Sequence, residues 1–154
     1  MEEAIRTTVL SYLDHYYNND YKSMLGLLEE EELNNYVEKF VDFAFQMDRF
    51  GESEDFLKRI DVQDLEALQQ LSTSDFMLKI LALTKQQFGK KEIKRIIKGI
   101  VFNDITIHGD QATVIYTMPL YDFDEDGIKS SMKLIQKNED WRIHFSSRLD
   151  SVLA

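Results

Sequence analysis

The chain has 154 residues, 44% hydrophobic and 12% aromatic, with 28 acidic and 18 basic side chains, a formal charge of -10 and no cysteine. That apolar content suits one folded domain over residues 1–154 and argues against general disorder. The charge disfavours nucleic acid and anionic membrane and favours a basic protein partner, while the lack of cysteine excludes disulfides, thiolate metal sites and cysteine nucleophiles.

The opening segment, MEEAIRTTVLSYLDHYY, carries acids where a signal peptide needs positive charge. Its apolar residues are periodic, and no stretch approaches the ~20 apolar residues of a membrane span. A cytoplasmic location is expected. Ile5, Val9, Leu13 and Tyr16 fall at helical spacing, with Leu10 and Tyr17 widening the stripe. The residues NND break this helix, and Asp20 is placed to cap a short second one bearing Tyr21, Met24, Leu25 and Leu28. Glu29 to Glu32 favour the positive start of a third helix, along which Leu33, Val37, Phe40, Val41, Ala44 and Phe45 share a broad face. Gly51 is its natural stop.

Ser53 and Asp61 are candidate caps for two short helices, and Thr73 or Ser74 for another that carries Phe76, Ile80, Leu81 and Phe88 and ends near Gly89. KKEIKRIIKG, the one basic cluster, keeps helical spacing over a turn or two. The period then changes to two. IVFNDITI, ATVIYTM, IKSSMKLI and WRIHF read as four antiparallel strands, with HGD and NED as turns. Val114, Tyr116 and Met118 share a face, as do Met132 with Leu134 and Trp141 with Ile143 and Phe145. Phe102 and Ile105 break strict alternation, which predicts a bulge near Asn103 and Asp104. Helices first and a meander second give an α+β fold, with helices packed on one face of a curved antiparallel sheet.

YDFDEDGIKS, residues 121–130, begins like a calcium loop. Counted from Asp122, however, the twelfth position is Lys133, a cation where a bidentate glutamate must close the coordination sphere, and flanking helices are missing. A hairpin turn over Asp124, Glu125, Asp126 and a left-handed Gly127, bringing Asp122 near Lys129, accounts for the same letters. No metal site is expected. His15, His108 and His144 form no metal-spaced pair; His15 lies between Asp14 and Tyr16, where a contact would tune a proton-transfer group, although neighbours on a helix point apart. No nucleotide fingerprint or nucleophile elbow is present, and no cofactor is expected. The basic run from Lys90 to Lys98 reads as a solvated face. The aromatics admit two readings. They fill a core, with tyrosine hydroxyls at its rim, or they line a cavity between the first helix and the sheet.

The segment YLDHYYNNDYKSMLGLL resembles the start of the nuclear transport factor 2-like superfamily, and GDQATVIYTM with MKLIQKNEDWRI resembles its closing strands. The resemblance covers residues 5–28 and 100–148. It implies a cone enclosing a pocket between sheet and helices, with residues 30–95 as an enlarged helical insert. Catalytic members use a first-helix tyrosine, matched by Tyr16 or Tyr17, with an inward strand acid that this sequence does not supply. The chain is therefore expected to be a small-molecule-binding or protein-interaction module without catalysis. Alternatives are an isomerase or dehydratase using the cone pocket, and an acidic immunity-type inhibitor of a basic protein. The expected ligand is small and apolar, held by Tyr16, Tyr17, Tyr116, Met132, Trp141 and Phe145. The outer sheet face, with Ile115, Ile135 and His144, is a candidate homodimer surface.

Overall fold

The structure is a computed structural model that describes residues 1–119 and 127–145. The predicted turn over Asp122 to Asp126 lies outside the described residues. The fold is α+β, with helices leading and a curved four-stranded antiparallel sheet closing the chain. Its contacts group into two compact units. One comprises Met1–Glu29 with the described residues from Gln86 onward; the other is Glu30–Lys85.

In the first unit, α1 (Glu2–Tyr17) buries Ile5, Val9, Leu13 and Tyr17 of the expected stripe and adds Tyr12, while Leu10 and Tyr16 are only half-buried. Each such aliphatic side chain contributes about 1.5–3 kcal/mol when withdrawn from water. The helix stops because Asn19 takes a left-handed backbone, φ 60°. Asp20 then accepts a hydrogen bond from the Ser23 N–H and caps α2 (Tyr21–Leu25). α7 (Lys90–Lys98) buries Ile93 and Ile96 and packs on α1. In chain order the second unit, Glu30–Lys85, comes between α2 and α7.

The sheet has the order β1-β2-β3-β4, a plain meander of β1 (Val101–His108), β2 (Gln111–Met118), β3 (Ile128–Lys137) and β4 (Asp140–Ile143). Gly109 takes φ 61° at the first position of the two-residue turn between His108 and Gln111, where a side chain would be strained. Asn138 and Glu139 are both left-handed, which matches the mirror-image turn joining β3 to β4. The register slips between Phe102 and Asp104, so the expected bulge is present. It keeps Phe102 and Ile105 on one face: Phe102 sits opposite Tyr116, and Ile105 opposite Val114. Alternation leaves Val114, Tyr116, Met118, Met132, Leu134, Trp141 and Ile143 buried; the expected strand WRIHF ends at Ile143, and Phe145 is buried just beyond it. α1 packs against β4.

One sheet contact lay outside the alternation argument. Leu28 makes a parallel bridge to Ile143, with Ile143 N–H donating to Leu27 O at 2.8 Å and Glu29 N–H donating to Ile143 O at 2.9 Å. The segment after α2 therefore covers the outer edge of β4. α3 consequently starts at Glu30, one residue later than the glutamate run suggests.

The second unit holds α3 (Glu30–Asp48), α4 (Ser53–Arg59), α5 (Leu65–Gln70), α6 (Thr73–Leu81) and the 3-10 turn Ala82–Thr84. Three expected caps are corrected. Ser53 lies inside α4, is buried, and donates to Asp48 Oδ1 at 2.8 Å. Asp61 has φ 56° and ends the preceding turn, so the α5 cap passes to Asp64, whose extended backbone lets its carboxylate accept from the Ala67 N–H at 2.8 Å. Ser72, not Thr73 or Ser74, caps α6 by accepting from the Asp75 N–H at 3.1 Å. α6 also stops at Leu81, leaving Phe88 outside any helix.

Candidate functional site

The aromatic residues at the α1–α2 break are organised by Asn19. Its left-handed backbone turns the side-chain amide toward Gln86, 67 residues away. Asn19 Nδ2 donates to Gln86 O at 2.9 Å, and Gln86 N–H donates to Asn19 Oδ1 at 2.8 Å. The same Oδ1 accepts from the Tyr21 hydroxyl at 2.9 Å, and Gln86 Nε2 donates to the Tyr16 hydroxyl at 3.0 Å. This pair of hydrogen bonds to the backbone N–H and C=O of one residue fixes the point where the chain re-enters the first unit. Tyr16 meets Tyr17 edge-on at 5.1 Å between ring centroids, and Tyr17 meets Phe88 edge-on at 5.7 Å. The Tyr17 hydroxyl donates to Met118 Sδ at 3.7 Å.

Of the six residues expected to hold a ligand, Tyr16 is half-buried and engaged by Gln86, and Tyr17 is buried against Met118 and Phe88. Tyr116, Met132, Trp141 and Phe145 are buried, with Tyr116 at 0% exposure and Trp141 at 5%. Met132 stands opposite Val114, one step along the same face from Tyr116. The three strand residues Tyr116, Met132 and Trp141 thus come together on one face, Phe145 lies buried just past the end of β4, and Tyr17 reaches that face through Met118, which neighbours Tyr116 on it.

His15 pairs with Asp20 rather than Asp14, at 3.4 Å from Nδ1 to Oδ2, while Asp14 accepts from the Asn18 side chain. The hydrogen bond from Ser23 holds the Asp20 carboxyl below its ordinary value. His108 ends β1 and is exposed; His144 is half-buried. A hollow of about 300 Å3 lies on the outer sheet face, lined by Gln111, Thr113, Lys133, Ile135 and His144. Glu29 is buried and ion-paired with Lys137. Sequence reasoning took Glu29 as part of a helix start, since nothing local separates it from the three glutamates that follow. Among the described residues, no group of three histidine, cysteine, aspartate or glutamate side chains converges to hold a metal ion. Nor is any helix among them long and apolar enough to cross a membrane.

The helical unit presents a different arrangement. Within it, Phe40 of α3 packs against Phe56 and Phe76, each at 5.4 Å between centroids, and against Tyr36 at 6.0 Å. Partial burial raises the Tyr36 hydroxyl above its ordinary pKa. Beyond this cluster, apolar side chains continue to the surface: Phe43 is 55% exposed and Phe50, two residues past the helix, 79%. Such exposed aromatic surface is unusual in a soluble domain and marks contact sites more often than chance. The same unit contains thirteen acidic and six basic side chains and so carries most of the chain's formal charge of -10. Of the broad α3 face that the sequence spacing predicts, Leu33, Val37 and Ala44 are buried and Phe40 and Val41 half-buried, but Phe45 is exposed.

Set beside family models, curated proteins and solved structures, the chain matches none of them.

Proposed function

We propose that the chain is a protein-interaction module whose helical unit, Glu30–Lys85, makes the contact. Its first unit would be a nuclear transport factor 2-like cone serving as the platform. The cone reading is supported by the order of elements: an aromatic first helix, a short capped second helix, and a four-stranded meander with α1 on it. The observation that carries the functional reading is Phe50, 79% exposed on a strongly acidic unit. A basic protein with an apolar contact surface is the matching partner, because opposite charge steers the encounter and aromatic burial supplies most of the affinity.

The small apolar ligand draws less support, since Tyr116, Met132, Trp141 and Phe145 are already buried by the protein itself. Trp141 is the chain's one tryptophan and reports on that face. Across a panel of apolar ligands its emission should stay unchanged. Selection from a random displayed-peptide library on the intact chain should enrich basic sequences that are released by high salt. A saturable ligand-induced shift in Trp141 emission, with no basic enrichment, would replace this reading with the pocket.

A further inference from the structure

Tyr36, Phe40, Phe43 and Met47 of α3 recur at intervals of four, three and four residues, and Phe50 follows three residues on in the turn after the helix. The helical part of that spacing draws a seam along α3, as in helices that pack lengthwise on a partner helix. Leu33, Val37 and Ala44, which face the core, lie on an adjacent strip. α3 therefore carries a second apolar strip, whose Tyr36 and Phe40 pack within the unit and whose Phe43 is left exposed. Along the seam, Phe40 is anchored by Phe56 and Phe76 and Met47 is half-buried, while Phe43 and, past the helix end, Phe50 are exposed.

We infer that this seam is a docking face for an amphipathic helix of a basic partner protein. The inference rests on the interaction-module reading and specifies its surface. Charge selects the occupant. Lys39 is the one cation on α3, against Glu30, Glu31, Glu32, Glu38, Asp42 and Asp48. A second copy of the chain would bring like charge against like charge, whereas a helix with lysine or arginine flanking its apolar face meets opposite charge. Helix-in-groove recognition reads anchors at this kind of spacing.

The test uses the intact chain and a fluorescein-labelled synthetic helix with leucines at three-and-four spacing and lysines elsewhere. Anisotropy should show saturable binding, and the same helix with glutamate replacing lysine should not bind. Phe43→Ala combined with Phe50→Ala should weaken binding by about tenfold or more, the size of an interface anchor. Phe45→Ala, at a 39% exposed position off the seam, should leave it unchanged. Circular dichroism of the double variant should match that of the parent.

Three results overturn the inference. One is equal binding by the double variant, which leaves a contact elsewhere on the acidic unit and the broader reading intact. Another is absence of binding by the lysine helix, after which the library selection alone decides the broader reading. The last is a concentration-dependent dimer in sedimentation that the double substitution abolishes, which assigns the seam to a second copy.

Discussion

The two units use their aromatic residues in opposite ways. In the sheet unit Tyr12, Tyr116, Trp141 and Phe145 are withdrawn from water, and the polar atoms of Tyr16, Tyr17 and Tyr21 reach Gln86, Met118 and Asn19. In the helical unit Tyr36, Phe40, Phe56 and Phe76 begin a cluster that runs out into solvent at Phe43 and Phe50. Identical side-chain chemistry stabilises the fold in one region and remains available for contact in the other. Burial, not residue type, separates structural from functional aromatics.

That contrast can be broken first at Tyr116. Tyr116→Ala should cost about 3–5 kcal/mol, because the ring is fully enclosed and its cavity cannot collapse completely. Phe50→Ala should change stability by less than about 0.5 kcal/mol. Urea denaturation followed by circular dichroism measures both, and equal effects would erase the distinction. Asn19→Ala comes next. It removes both hydrogen bonds to the Gln86 peptide and leaves alanine at φ 60°, so a loss of about 1–3 kcal/mol is expected. Amide exchange should quicken at Gln86 while the β2–β3 pairing stays protected. Protection unchanged at Gln86 would show that the amide contact adds nothing.

A smaller effect is expected at Asp64, the α5 cap. Asp64→Ala should destabilise by about 1 kcal/mol, with exchange rising in the helical unit and not in the sheet. The smallest effect is the Asp20 titration. Its folded-state pKa is depressed, so the cap on α2 contributes stability above the carboxylate's ordinary pKa of about 4. That contribution fades as pH falls through the lower folded value. Chemical shifts of the Ser23 amide should follow this titration, whereas an amide shift centred at the ordinary pKa would show that the hydrogen bond is not formed.

The sheet was legible in the sequence because its residues answer to one period. Phe102 and Ile105 could share a face only across a bulge, and the register slip lies there. The buried alternation along β2 and β4 and at Met132 and Leu134 of β3 follows from the same rule. Helix starts were less legible wherever several residues can cap. Asp61 and Asp64, or Ser72, Thr73 and Ser74, are chemically equivalent until the backbone chooses among them. The Asn19–Gln86 contact and the Leu28–Ile143 bridge join positions far apart in sequence, and no local pattern announces either. The α3 seam was present as letters, but a broad apolar face hides a second stripe until exposure is known.

The strip Leu27–Glu29 has a consequence for behaviour at high protein concentration. Fibrils grow when a bare strand recruits an identical one from the next molecule. Here the last strand is already occupied by the chain's own Leu27 and Glu29, and the first is kinked at Phe102 and bears the charge of Asp104. Both flanks of the pleated ribbon are poor templates, and the short segment that leads the chain into α3 guards one of them.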